Sequence, residues 1–319
     1  MISKVKVIFR KLFLRNSTKG FYKKLRKIKI YLMGKLSDEA YVKLNVRLNT
    51  GIKLNLINPE LHIEKINWLK LNYRNPLQTE YTDKYRIREN LVEKGYSSIL
   101  PPFIGVYKSF DEIDFNQLPN KVFLKTNHMS GVNQAIIRDK TDMKKAKEKF
   151  EKSLTKNYYE ISREWNYKNI SPRIIVEPFL DMNKYLDYKF FVFNGKVEFF
   201  AIIKGINDDN GNQSLDSQLN LYDTKLKPLQ VDIKRKGFDD SHFNFSDYID
   251  EMINISEELA SPFPFCRVDF LVSSEKYLFG EMTFHPNGGE MVLYPMKNEY
   301  YYGNKINLEN ISASFLKEE

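Results

Sequence analysis

The chain has 319 residues, 42% hydrophobic and 29% charged, with 23 Phe and 20 Tyr; this is enough for a buried core and two or three compact units, and it excludes a mostly disordered chain. A single cysteine, Cys266, excludes an internal disulfide and points to a reducing, cytoplasmic setting, while His62, His128, His242 and His285 fall at no zinc-type spacing. The net charge of +9 belongs to one end, since residues 1–37 hold twelve Lys or Arg and no acid; the remaining body is slightly acidic, which argues against a nucleic-acid surface.

The basic arm, residues 1–37, has no signal-peptide h-region and no run near twenty apolar residues. Ile2, Val5, Ile8, Phe9, Leu12 and Phe13 share one helical face, and Phe21, Leu25, Ile28 and Leu32 share another after the break at residues 17–20. Two readings of residues 1–32 stand side by side: a basic amphipathic helix on an anionic membrane surface, or a helix packed on its own body.

Residues 38–120 read as mainly helical. Thr82 or Asp83 suits the cap of a helix running to Lys94, with Gly95 just past its end. Phe103–Tyr107 is a strand candidate after Pro101-Pro102. From Lys121 the pattern changes: Val122–Leu124, Ala135–Ile137 and Arg173–Val176 are short apolar strands, with a charged helix over 142–154 capped by Thr141. Tyr188–Phe193 and Val197–Ile203 flank Asn194-Gly195, the dipeptide best suited to a type I′ hairpin turn. A helix over 247–260, capped by Ser246 or Asp247, precedes a last hairpin that pairs Phe265–Val272 with Tyr277–Thr283. Hairpins among helices predict an α+β fold with antiparallel sheets.

Four segments carry possible chemistry. On the last hairpin, Arg267 and Asp269 share a polar face opposite Val268, Phe270 and Val272. A turn centred on Ser274 predicts Asp269 opposite Phe279, Arg267 opposite Glu281, and Glu281 one diagonal step from Asp269. Two carboxylates and an arginine suit Mg²⁺ against polyphosphate; alone, they equally suit a surface ion pair. Lys125 ends a strand before the small polar loop 126–131, which matches neither G-x-x-x-x-G-K-S/T nor G-x-G-x-x-G. Glu177-Pro178-Phe179-Leu180 ends a buried strand, where backbone and apolar side chains suit an adenine. The loop 283–289 holds Thr283, His285, Asn287 and two glycines, of which Thr283 or Asn287 could add an oxygen to metal or phosphate, while His285 suits a structural or substrate-side place.

Taken in order, these pieces resemble the ATP-grasp superfamily, and more closely its TupA-like branch, associated with teichuronopeptide and other bacterial surface-polysaccharide synthesis. The resemblance runs from about Leu36 to Asn307 and includes Glu64–Lys70, Thr82-Asp83-Lys84, Lys125–His128, Asp187–Phe190, Arg267–Phe270 and Gly280–Phe284. It implies two α+β subdomains whose antiparallel sheets sandwich ATP: one over 121–180 with the phosphate loop, one over 181–310 with the metal site, preceded by a helical region over 38–120. It further implies that Lys125, Asn127, Ser130, Gly131, Glu177, Phe179, Leu180 and Asp187 surround the nucleotide. Asp269, Glu281, Thr283 and Asn287 would hold Mg²⁺, with Arg267 and Lys189 as catalytic cations. Thr283 stands where the general family carries Asn.

The implied reaction is Mg·ATP-dependent amide formation through an acyl phosphate. It would join an amino acid or other amine to a uronic acid of a surface polysaccharide or its lipid-linked precursor, at the inner face of the cell membrane. Lys65, Asp83 and Lys84 are candidates for acceptor recognition. A glycosyltransferase, a phosphotransferase on the same fold and a non-catalytic nucleotide-binding protein are the competing classes.

Overall fold

In the computed structural model the described residues are 34–205 and 216–318; both amphipathic faces expected within residues 1–32 lie outside them. Helix α1 (Asp38–Thr50) starts at Ser37, whose hydroxyl accepts the Ala40 N–H, and stops at Gly51 in the left-handed region. Helices α2 (His62–Asn72), α3 (Pro76–Thr82) and α4 (Arg86–Glu93) follow. The helix expected from Thr82 or Asp83 to Lys94 forms as α4, which begins at Arg86. Thr82 closes α3 and bonds the Gln78 carbonyl, while the Asp83 carboxylate accepts from the N–H groups of Tyr85 and Arg86 at the start of α4. Gly95 follows α4 with φ of 85°, as the pattern predicts.

The first sheet contains β1 (Gly105–Tyr107), β2 (Lys121–Thr126), β3 (Asn133–Ile137) and β4 (Ile174–Pro178), in the order β1-β4-β2-β3 with every pair antiparallel. Val122, Leu124, Ile136, Ile174 and Val176 turn to one side and meet Ala146 and Phe150 of helix α5 (Met143–Leu154), making a compact core of their own. Asp142, not Thr141, caps α5: its carboxylate accepts the Lys145 N–H, and the Thr141 hydroxyl instead accepts from Ile137. The short helix α6 (Tyr158–Ser162) leads back toward β4.

The second sheet contains β5 (Leu186–Phe193), β6 (Lys196–Lys204), β7 (Gln218–Tyr222), β8 (Phe265–Val272) and β9 (Tyr277–Thr283), in the order β7-β6-β5-β8-β9, again antiparallel. Asn194 and Gly195 both take positive φ, 44° and 77°, the signature of the expected type I′ turn. Helix α7 (Ile249–Ala260) packs beneath β5 and β8; its cap position is Tyr248, with no side-chain bond, and Ser246 supports the Tyr248 N–H one step earlier. Phe190, Phe199, Phe200, Phe265 and Phe270 are fully buried in this larger core, which also takes in Ile66, Leu69, Tyr81, Ile87 and Leu91 from α2 to α4. The helical region therefore packs on the second sheet, while β1, from the same stretch of sequence, pairs into the first. Helix α8 (Met296–Asn304) crosses α2 at Gly303, where no side chain would fit against the Glu60 carbonyl. Among the described residues no helix is long and apolar enough to cross a membrane.

Candidate functional site

The last hairpin does not pair as simple alternation predicts. Phe270 pairs with Phe279, but Asp269 then pairs with Glu281 and Arg267 with Thr283, because Gly280 is an extra residue at a bulge. The close approach requires glycine: a Cβ at Gly280 would lie 2.9 Å from the Asp269 carbonyl oxygen. Asp269 and Glu281 are thus directly opposed instead of diagonal. On its other side Asp269 pairs with Lys189 of β5, so one row across three strands reads Lys189, Asp269, Glu281.

The row is densely bonded. Lys189 Nζ lies 3.0 Å from Asp187 and 2.5 Å from Asp269. The Arg267 guanidinium grips Asp269 with two bonds of 2.6 Å, donates to the Thr283 hydroxyl at 3.0 Å, and stands 3.5 Å from Glu281. Asp269 is 2% exposed. Its burial pushes its pKa up, but Arg267 and Lys189 outweigh that and pull it below the usual carboxylate range. Asp187 moves the other way, because burial raises it more than Lys189 lowers it. Burial disfavours the charged forms of Lys189 and Arg267, yet the carboxylates keep both cations charged, with raised pKa values.

On the first sheet, Lys125 of β2 meets Glu177 of β4 at 2.8 Å. β4 is paired with β2 through Pro178 but with β1 only through Val176, and Phe179 and Leu180 beyond it are half-buried. Lys121 covers one face of the Phe179 ring, 3.3 Å from its centroid. In the loop after β2, Ser130 and Gly131 are exposed at the tip, Gly131 with φ of 75°, and Tyr158 of α6 lies beside Ser130. The reading of the sequence missed Tyr158, which carries no local motif.

Asn127 differs from its expected place at the nucleotide. It is fully buried. Its amide donates to Asp83 at 2.9 Å and to the Ser171 carbonyl at 3.0 Å, and its oxygen accepts the Arg173 N–H at 2.7 Å. These bonds make it the clamp that roots the loop. Asn287 is exposed with φ of 53°, and among the described residues it makes no bond to the carboxylate row. Its loop is tied instead to α2, by Lys70 on the Gly288 carbonyl at 2.9 Å and Asn67 on the Gly289 carbonyl at 2.8 Å. His285 is buried 3.4 Å from Glu164. Lys65 bonds the Ile306 carbonyl at 2.8 Å. Lys84 joins the phosphate-loop side, donating to the Met129 carbonyl at 3.1 Å.

The donor set fits Mg²⁺ better than a softer ion. The hairpin offers carboxylate and hydroxyl oxygens only, and among the described residues no three His, Cys, Asp or Glu form a cage that holds a metal without help. Mg²⁺ takes few protein oxygens and completes its shell from phosphate and water. Asp269 and Glu281 would hold it, and Thr283 stands beside them, 3.4 Å from Glu281.

No curated protein matches this sequence. Solved structures similar in fold include the L-amino acid ligase from Bacillus licheniformis, 12% identical over 89% of this chain and 65% of that one (TM-score 0.46). Another is the D-alanine–D-alanine ligase from Bacillus anthracis, 16% identical over 74% and 69% (TM-score 0.42). A third is the ATP-grasp ligase PsnB in complex with a minimal precursor, 9% identical over 73% of this chain (TM-score 0.41), of whose length this chain spans 62%. The family model described as TupA-like ATPgrasp matches residues 64–307, a span that holds both sheets, Lys125 and the whole carboxylate row, and the chain belongs to the TupA-like ATP-grasp family.

Proposed function

We propose that this protein is a Mg·ATP-dependent carboxylate–amine ligase. The observation that carries the reading is the row Lys189, Asp269, Glu281 with Arg267 across its end: alternating charges on one sheet face, in a chain whose other sheet carries Lys125 on β2. ATP would lie between the sheets, with Phe179 and Leu180 toward its base, Asp187 toward its ribose, and Lys125, Ser130 and Gly131 toward its phosphates. Asp269 and Glu281 would hold Mg²⁺, which supplies neutralisation of phosphate charge when bound. Arg267 and Lys189, released in part from Asp269, would then turn to phosphate oxygens.

In the reaction a substrate carboxylate attacks the γ-phosphorus of ATP, the bond to the β–γ bridging oxygen breaks, and ADP leaves. The amine nitrogen then attacks the activated carbonyl, phosphate departs, and the amine loses a proton. The exposed loop tip at Ser130 and Gly131 suits a cover that keeps water from the activated acid. The family resemblance favours a uronic acid of a surface polysaccharide as the acid and an amino acid as the amine.

The test is ADP and phosphate release from Mg·ATP with uronic acids, free or in oligosaccharides, and pooled amino acids. Release that requires both an acid and an amine supports the ligase. Release with a hydroxyl acceptor and no amine would replace it by a phosphotransferase, and consumption of a nucleotide-sugar without ATP by a glycosyltransferase.

A further inference from the structure

Exposed apolar side chains gather in one region of the protein. Of the nine large apolar side chains exposed among the described residues, six belong to α1, the loop after it and α8: Leu44, Leu48, Ile57, Met296, Tyr300 and Tyr301. Ile57 is 86% exposed, and apolar exposure gathered in this way marks an interaction surface where scattered single residues would not. The three segments adjoin. Tyr294, two residues before α8, packs against Val42, Val46 and Leu54 of α1 and its loop. Gly303 of α8 abuts the carbonyl of Glu60, three residues beyond Ile57.

Cations stand among these side chains. A hollow of about 310 Å³ between α1 and its loop is lined by Ala40, Leu44 and Leu54 and by Lys43, Arg47 and Lys53. Arg47, Lys53 and Lys297 stand in no ion pair among the described residues. Of the acids on these segments, Asp38 meets Arg163, Glu39 meets Lys43 and Glu299 is fully buried, which leaves Glu60 against three unpaired cations. The chain enters α1 directly from residues 1–37, which hold twelve Lys or Arg and no acid. A second copy of the chain is a poor occupant of this face, because a two-fold contact sets each cation against its own like. The basic arm is disfavoured for the same reason. An anionic bilayer answers both features: its headgroups attract the cations, and its interfacial zone takes Leu, Ile, Met and Tyr side chains.

We propose that α1, the loop 51–57 and the exposed side of α8 form a docking surface for an anionic lipid bilayer, with residues 1–37 adding the longer-range attraction. The protein lies on the bilayer through this face, and no described helix is long and apolar enough to cross it. Asn45 and Asn49 of α1 donate to Glu290, next to Gly288-Gly289, which ties the docking surface to the loop that follows Thr283. The inference does not depend on the ligase reading.

The test is binding of the full chain to vesicles of phosphatidylcholine alone and of phosphatidylcholine with phosphatidylglycerol, read by co-sedimentation and by an environment-sensitive dye. The single native cysteine, Cys266, is buried, so the dye goes to Ile57→Cys or, as a control, to the exposed Val92→Cys on α4. The anionic vesicles alone should bind, and emission should shift to the blue at position 57 and not at 92. Arg47→Gln with Lys53→Gln should weaken binding by about 10- to 30-fold, and more than the charge-matched pair Lys144→Gln with Lys152→Gln on the exposed side of α5; thermal melts check that both pairs fold. Unchanged emission at 57, or equal losses for the two pairs, would assign the binding to the arm and net charge and overturn the docking surface. No binding to anionic vesicles would overturn it too, as would a blue shift at 57 that grows with protein concentration without vesicles, the sign of a second copy on this face.

Discussion

Asp269 and Glu281 stand directly opposite each other on β8 and β9, and they do so because Gly280 takes up one extra residue between Phe279 and Glu281. A side chain at position 280 would strike the Asp269 carbonyl. Gly280→Ala should therefore push β9 away from β8 at the row itself. The expected cost is about 1–3 kcal/mol of stability, together with a loss of turnover of at least about tenfold, as for other small misplacements of catalytic groups. Chemical denaturation and steady-state assay of the same preparation check both; unchanged turnover would show that the bulge does not set the site.

The two carboxylates of the row should respond differently to removal. Asp269 is buried and compensates Lys189 and Arg267, so Asp269→Ala should destabilise the free protein by about 3–5 kcal/mol, as breaking a buried ion network does. Glu281 has a side chain 46% exposed and meets Arg267 at 3.5 Å and the Thr283 hydroxyl at 3.4 Å. Glu281→Gln should keep the melting behaviour within about 0.5 kcal/mol of wild type and still lose most turnover. Equal stability losses for the two variants would contradict the ion-pair geometry.

Asn127→Ala should act on the fold before it acts on affinity. The change leaves the Arg173 N–H without its 2.7 Å acceptor and the Asp83 carboxylate without its 2.9 Å donor. A loss of about 2 kcal/mol or more follows from the unmade buried bonds. A variant as stable as wild type, with nucleotide affinity selectively reduced, would return Asn127 to the phosphates.

Glu299 gives the chain a pH dependence distant from the row. It is fully buried and accepts the N–H groups of Ile63 at 2.8 Å and Leu293 at 2.7 Å. Burial nonetheless raises its pKa from 4.5 to about 7. The folded state then binds the proton more tightly than the unfolded state. Its stabilising contribution is present below the unfolded value and is lost as pH rises toward 7, an effect of about 3 kcal/mol by linkage. Glu299→Gln should begin less stable at low pH, because its amide can accept only one of the two N–H groups. It should lack this part of the decline. Denaturation at several values between pH 5 and 8 compares the slopes, and identical slopes would remove Glu299 as the source.

Both hairpins were legible in the sequence, since period-two alternation and Asn194-Gly195 are local signals that the sheet merely completes. The register at the site was not, although an isolated glycine within a strand pattern is itself a bulge signal. Simple alternation placed Arg267 and Asp269 on the correct face but opposite the wrong partners. Asn127 and Lys84 show a different limit. Asn127 looked like a loop ligand because nothing near it in sequence announces Asp83, Ser171 or Arg173 as its partners. Lys84 looked like an acceptor residue because only the tertiary fold brings the start of α4 against Met129. The caps of α5 and α7 were displaced by one or two residues, where neighbouring Ser, Thr and Asp compete for the same N–H groups.

The most direct measurement is calorimetric titration of ATP into the wild type and Glu281→Gln, each with and without Mg²⁺. The expected result is wild-type binding that strengthens with Mg²⁺, and a Glu281→Gln variant that is equally folded but loses most of that Mg²⁺-dependent gain, by about tenfold or more. Absence of ATP binding by the folded wild type, or a Mg²⁺ dependence untouched by Glu281→Gln, would contradict the assignment of the opposed carboxylates to a metal–nucleotide site.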